Sequence, residues 1–329
     1  MNLPRQTALT PCLDGTRLGL GGAPLGNLFE PVPDAQALEL IHTAWEDGCR
    51  SFDTAPHYGH GLSERRMGDA LRHKPRAKVC LSTKVGRLLT PENNAPSEQY
   101  GFVQTLPFVQ HWDFSSAGTE RSVHDSLHRL GLASLDSVFV HDMDERNHGK
   151  NAESVFAQVV DETLPTLKRL QSQGLIRHIG LGVNDHQVVL RLLQHADLDV
   201  VLLAGRYTLL DTSALPELMP VLQRRSVELA LGGVFNSGIL ATRVDTERVL
   251  RFNYEPAQQS WVDRALKIQA VCDQHGVAIE AAALQFGMCH PATNLVLLGA
   301  RSAQEWLHAR AAARAPIPAD FWAQLRHQH

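Results

Sequence analysis

The chain has 329 residues, of which 43% are hydrophobic and 20% charged, with a formal net charge of −4. That is an ordinary globular composition, long enough to bury a large core. With a slightly negative charge and no block of Lys and Arg, it excludes the electrostatic footprint of a nucleic-acid binder.

Residues 1–10 lack the apolar core of a signal peptide, and no apolar run is long enough to span a bilayer, so a cytoplasmic protein is expected. Cys12, Cys49, Cys80, Cys272 and Cys289 are scattered and odd in number, without C-x-x-C spacing, which predicts reduced thiols and no zinc site. The histidines are spread out and form no H-E-x-x-H or other compact set, so no metal is expected.

Residues 6–20 contain Leu13-Asp14-Gly15-Thr16 between two short extended runs, the signal of an N-terminal β-hairpin. Residues 18–23 read as the first strand. Its G-x-G invites a dinucleotide fingerprint, but Pro24 holds the third glycine position and no helix opens there. Gly180-Leu181-Gly182 fails in the same way, so both sets are read as small residues permitting close packing. Asp34 can cap a first helix with Leu38, Ile41, Ala44 and Trp45 at helical spacing, and Gly48 stops it. The second strand ends at Asp53 and runs into a loop carrying Tyr58. Ser63 can cap a second helix through Leu71, and the third strand, residues 79–83, delivers Lys84.

Residues 86–118 then show neither helical nor strand period, while Phe102, Phe108, Trp112 and Phe114 argue against disorder. A long loop over one end of the domain is expected. Trp112 is its candidate substrate-wall residue, with packing under the loop as the equal alternative. The alternation resumes with a helix over 120–130, a strand over 135–140 leading to His141, and a helix over 152–173 that Pro165 should kink. A fifth strand, 176–182, leads to Asn184, which can cap the next helix. Strands over 200–203, 227–231 and 294–298 complete the count. Eight βα units argue for one α/β domain spanning the chain, a (β/α)8 TIM barrel with a long loop after strand three.

Ionisable groups at the C-terminal ends of successive strands are how such a barrel builds an active site. Asp53, Tyr58, Lys84 and His141 occupy those places. A phenol with a pKa near ~10 is a poor proton shuttle at neutral pH. A lysine beside it favours the phenolate, an aspartate can hold the lysine, and a histidine can orient a substrate oxygen.

Phe52-Asp53-Thr54-Ala55, Tyr58-Gly59 and Ser63-Glu64, followed by Lys84 and His141 in order, resemble the aldo-keto reductase family over roughly residues 18–302. The resemblance implies a small hairpin plugging the barrel bottom and a nicotinamide dinucleotide lying extended across its top. The residues implied to hold it are Gly22 and Ala23 after strand one, Asn184 against the carboxamide, and Phe235, Asn236 and Gly238 after strand seven. Gly299, Ala300, Arg301 and Glu305 after strand eight complete the set. Ala204 and Gly205 stand where many relatives carry Gln-Asn, so side-chain contacts are lost there. Glu305 falls where NADP-preferring relatives place arginine, which implies NAD, while Arg301 leaves NADP possible.

Residues 203–211 and 233–240 are similar to the branch of D-threo-aldose 1-dehydrogenases, also called L-fucose dehydrogenases, and equally to pyridoxal 4-dehydrogenases. Oxidation of a sugar hemiacetal at C1 to the lactone is the first expectation and pyridoxal oxidation the second. An NADPH-dependent carbonyl reductase and a non-catalytic nicotinamide-binding subunit are the other readings. A small-molecule substrate, no membrane partner, and a monomer or small homo-oligomer are expected.

Overall fold

Short apolar runs bounded by turn residues become buried strands when one face meets a barrel interior and the other a ring of helices. The computed structural model, which describes residues 7–326, shows this arrangement. Eight parallel strands close into a barrel: β1 (Leu18–Gly21), β2 (Ser51–Asp53), β3 (Cys80–Val85), β4 (Leu135–His141), β5 (Ile176–Val183), β6 (Val200–Ala204), β7 (Glu228–Gly232) and β8 (Leu295–Gly299). Neighbours follow chain order, and β8 returns to β1 with Val296 opposite Leu18. Phe139, Val200, Leu202, Ala230, Leu295 and Leu297 pack together as one buried cluster. A Cβ on Gly180 would stand 2.5 Å from the Val200 carbonyl oxygen, so its G-x-G serves packing. No helix among the described residues is long and apolar enough to cross a membrane.

The N-terminal hairpin is corrected. The turn at residues 13–16 forms, with Cys12 N–H donating to Thr16 O (2.9 Å), but no strand ladder precedes β1 among the described residues. Gln6, the start of the expected hairpin, lies outside them. Instead the Ala8 and Leu9 N–H groups donate to the Glu228 carboxylate (2.8 and 3.0 Å), which takes the donors a partner strand would have taken. Ala8 and Leu9 join the buried cluster, so an irregular segment closes the bottom of the barrel.

The long loop after β3 is largely a ribbon. Arg87–Pro91 pairs antiparallel with Phe108–Trp112, and Glu98–Gln99 pairs with Phe102–Val103 around Tyr100-Gly101. A second small hairpin, Arg251–Phe252 with Glu255–Pro256, stands in the loop after β7. Its two turn residues, Asn253 and Tyr254, both have positive φ (53° and 67°), as a two-residue primed turn requires.

Three expected caps also change. Asp34 opens helix α1 (Asp34–Glu46) without capping it, and its carboxylate accepts from Arg66 (2.7 and 2.9 Å). Ser63 lies inside α2 (Leu62–Leu71), where its hydroxyl donates to Gly22 O. Asp185, not Asn184, caps the helix His186–Leu192. Near Pro165 the helix inserts one π turn, Val159–Thr163, which accommodates a residue with no N–H to give.

Glu64, fully buried in α2, ties this scaffold to the strand that carries Lys84. Its carboxylate accepts from Thr83 Oγ1 (2.7 Å) and from Arg129 Nε (2.5 Å) of α3 (Ser116–Leu130). Removing one partner of a buried pair leaves an uncompensated charge. Arg129→Met is therefore expected to lower the unfolding free energy by about 3–5 kcal/mol in urea denaturation. A loss below about 1 kcal/mol would show that Arg129 does little to hold Glu64 in place.

Candidate active site

Asp53 and Lys84 reach the same point because β2 and β3 are paired, with Asp53 opposite Ser82. Lys84 Nζ donates to Asp53 Oδ2 (2.7 Å) and to Thr54 O (2.8 Å), and Ser82 Oγ donates to Asp53 Oδ1 (2.7 Å). Both charged side chains are buried. The Tyr58 loop crosses the loop after β1 so closely that a Cβ on Gly59 (φ 65°) would lie 2.5 Å from Gly26 O. This crossing sets the Tyr58 ring over Lys84, with Nζ 4.7 Å from the ring centroid. The His141 ring stands nearly perpendicular to it, 6.2 Å away. Asp53, Tyr58, Lys84 and His141 are thus brought together.

The electrostatics run opposite to expectation at the phenol. Burial pushes Tyr58 well above its ordinary range; Asp53, Tyr254 and Asp142 push the same way, and Arg87 pulls against them. The charge of Lys84 is spent on Asp53, so it does not dominate the phenol's surroundings. His141 is held well below its ordinary range, by burial first and then by Arg87, Lys84 and His57. Burial likewise pushes His57 down, although its Nδ1 bonds Gln110 Oε1 (2.9 Å).

Arg87 and Asp142 went unnoticed in the sequence. Arg87 Nη1 lies 2.9 Å from His141 Nδ1 and 2.8 Å from Asp142 Oδ2, and its guanidinium stacks 3.9 Å from the Trp112 ring centroid. The available signals were an arginine three residues beyond Lys84 and an aspartate directly after His141. Trp112 packs on Arg87, Phe114 and His148 and is 37% exposed, an arrangement compatible with both of its expected roles.

From Tyr58 and Asp53 a cleft of about 1370 Å³ crosses the tops of β7 and β8. It is lined by Gly22, Ala23, Asn184, Phe235, Asn236, Gly238, Gly299, Ala300, Arg301 and Glu305, the residues expected to face a cofactor. Phe29, Asn253 and Tyr254 line it too, unannounced by the sequence. Asn184 Nδ2 donates to Ala204 O (3.2 Å). Beside Gly205 the buried Asn236 amide has no partner for Nδ2 or Oδ1. At the far end Ser302 caps the helix Ala303–Ala312, and Glu305 Oε2 accepts from Arg301 N (2.8 Å). Arg301 pairs with Glu30 (2.6 Å), and Arg243 forms a bidentate pair with Asp273 (2.5 and 2.8 Å). A cleft of this length, with an orphaned amide at one end and a capped helix N-terminus at the other, fits an extended dinucleotide.

The sequence profile described as "Aldo/keto reductase family" matches residues 17–328. The chain belongs to the aldo/keto reductase family. It is 40% identical over 321 residues to a pyridoxal 4-dehydrogenase from Microbacterium luteolum, covering 94% of this chain and 93% of that one. It is 36% identical over 313 residues to a D-threo-aldose 1-dehydrogenase from a Pseudomonas species, covering 94% and 92%. A glycerol dehydrogenase from Gluconobacter oxydans shares the fold with a TM-score of 0.75 and 21% identity, covering 100% of this chain and 94% of that one. Aldo/keto reductases are oxidoreductases of alcohol and aldehyde groups that use nicotinamide cofactors.

In this aldo/keto reductase Gly22 does more than border the cleft. A Cβ there would stand 2.5 Å from Ser63 Oγ and 2.7 Å from Asp53 O, the carbonyl that accepts the Gly22 N–H. Gly22→Ala must shift the strand end that holds Asp53. We expect a loss of about 1–3 kcal/mol in urea denaturation, the usual cost of overpacking. An unchanged midpoint would mean that the strand end yields freely.

Proposed function

We propose that the chain oxidises a cyclic hemiacetal at its anomeric carbon to the lactone, with NAD as acceptor. The observation that carries this reading is the Asp53–Lys84 pair beneath Tyr58, with His141 across from it, at the inner end of the cleft. When bound, the nicotinamide takes the hydride from the anomeric carbon. Tyr58, having first released its own proton to solvent, accepts the hydroxyl proton as the phenolate, His141 orients that oxygen, and Lys84, itself held by Asp53, supports the phenolate charge in between.

A D-threo-aldose such as L-fucose is the first substrate reading, as one of the two relatives is named for it. Pyridoxal, whose hemiacetal would give a lactone through the same groups, is the second. It is favoured by the ring cluster at the mouth, where His57 meets Phe102 at 5.0 Å and Tyr100 at 5.8 Å, both edge-on, and by the other relative's name. L-Fucose, D-arabinose, L-galactose and pyridoxal, each assayed with NAD and NADP, separate the readings. Turnover of none of them with either cofactor would sink the hemiacetal proposal.

Two variants test the proton path together. Tyr58→Phe is expected to lower kcat by roughly 10²–10⁴ while NAD still binds in a fluorescence titration. In Lys84→Met, Asp53 loses its counter-charge and its carboxylate pushes the phenol higher. The pH at which activity appears should therefore rise. Normal turnover by the first variant, or an unmoved pH profile in the second, removes that residue from the path.

NAD is favoured over NADP because both arginines lining the far end of the cleft are already paired with carboxylates. A 2′-phosphate would meet Glu305 beside a neutralised Arg301. Glu305→Arg should raise the NADP to NAD ratio of kcat/KM by about one decade or more, the worth of one charge-assisted bond. The substitution also forfeits the carboxylate that bonds Arg301 N, so a slight loss of stability should accompany the switch. A native preference for NADP, or an unmoved ratio, would overturn the assignment.

A further inference from the structure

We propose that Arg87 is a positioning residue that fixes the tautomer of His141, so that a neutral imidazole presents Nε2–H to the substrate oxygen. The oxygen's identity rests on the function proposed above; the tautomer does not. A guanidinium has donors only and keeps its proton at any working pH. Arg87 Nη1 stands 2.9 Å from His141 Nδ1, so Nδ1 must offer its lone pair and the ring's one proton must sit on Nε2.

The groups facing His141 hold that state. Arg87 approaches from the ribbon, Lys84 from β3 and His57 from the loop after β2, and together with burial they oppose a second proton. The opposing group is Asp142, whose Oδ2 lies 3.4 Å from Nε2, longer than a well-formed N–H···O bond. Arg87 engages that same oxygen at 2.8 Å and so keeps the carboxylate from pairing with a protonated imidazole. Asp142 reaches under Arg87 through a left-handed backbone (φ 49°), a strained conformation for aspartate that the surrounding contacts maintain.

Trp112 completes the device. Its ring lies against the guanidinium, which is 6% exposed, and fixes the plane of the fork. A neutral donor suits the oxidation proposed here. It orients the oxygen without becoming an acid that would return the proton Tyr58 has to take.

The test is NMR of the full-length protein labelled with ¹⁵N-histidine, read without substrate. His141 should show protonated Nε2, bare Nδ1, and no imidazolium at pH values near the ordinary histidine range. A protonated Nδ1 or a cation at neutral pH would overturn the proposal, whatever the enzyme's substrate proves to be. In Arg87→Met the ring should populate both tautomers and titrate at higher pH. The kcat should fall by about 10²-fold or more with NAD affinity unchanged, and a new acid limb should appear. A folded Arg87→Met variant with the native tautomer and pH profile would overturn it as well. The native spectrum decides the question even if that variant fails to fold.

Discussion

A lysine and an aspartate that share a hydrogen bond inside the barrel set the terms for everything near them. Neither charge could be buried there alone, since desolvation costs several kcal/mol per ion, as an order of magnitude. Strand pairing delivers both to one point, and Ser82 and Thr54 satisfy what the pair leaves open. The pair nearly cancels, so Tyr58 lies over an ammonium whose field is mostly spent. Its phenol is therefore a reluctant acid, governed by burial and by the carboxylates around it.

The same economy of charge recurs across the cleft. Arg87 is answered by Asp142, Arg301 by Glu30 and Glu305, Arg243 by Asp273, and Arg206 by Asp211. A surface that would otherwise attract any polyanion is thereby left with directional hydrogen bonds.

The gathering of Asp53, Tyr58, Lys84 and His141 was legible in the sequence because three of them end apolar runs, where a barrel places its ionisable groups. Asp53, Lys84 and His141 needed only a count of strands, and Tyr58 followed from the loop that Asp53 opens. The contacts that tune them were not legible. Arg87 belongs to a ribbon whose Leu88 and Leu89 are both buried, so no alternation marks it. The hairpin around Asn253 and Tyr254 lacks the glycine that advertises a primed turn. Asp34, Ser63 and Asn184 are polar residues at helix starts, and such residues cap only when nothing else claims them. Here Arg66, Gly22 and Ala204 do.

Backbone strain shows how the fold divides its labour. Among the described residues, every non-glycine residue with positive φ except Ser226 lies in a loop leaving the C-terminal end of a barrel strand. Asn27 and Phe29 follow β1, His60 follows β2, Tyr100 and Gln104 follow β3, Asp142 follows β4, and the rest follow β7. Left-handed backbone costs a side-chain-bearing residue roughly 1–2 kcal/mol, so each must be held by its surroundings. The holding contacts are visible. Phe29 N–H bonds Gly101 O while Arg251 stacks on the Phe29 ring, tying the ribbon after β3 to the hairpin after β7 across the mouth. The opposite face of the barrel, closed by Ala8 and Leu9 on Glu228, carries one such residue, Ser226, which ends the helix Leu218–Arg225. Apart from Ser226, the strain gathers on the face where Tyr58 and the cleft lie, and the closed sheet beneath supplies the rigidity that sustains it.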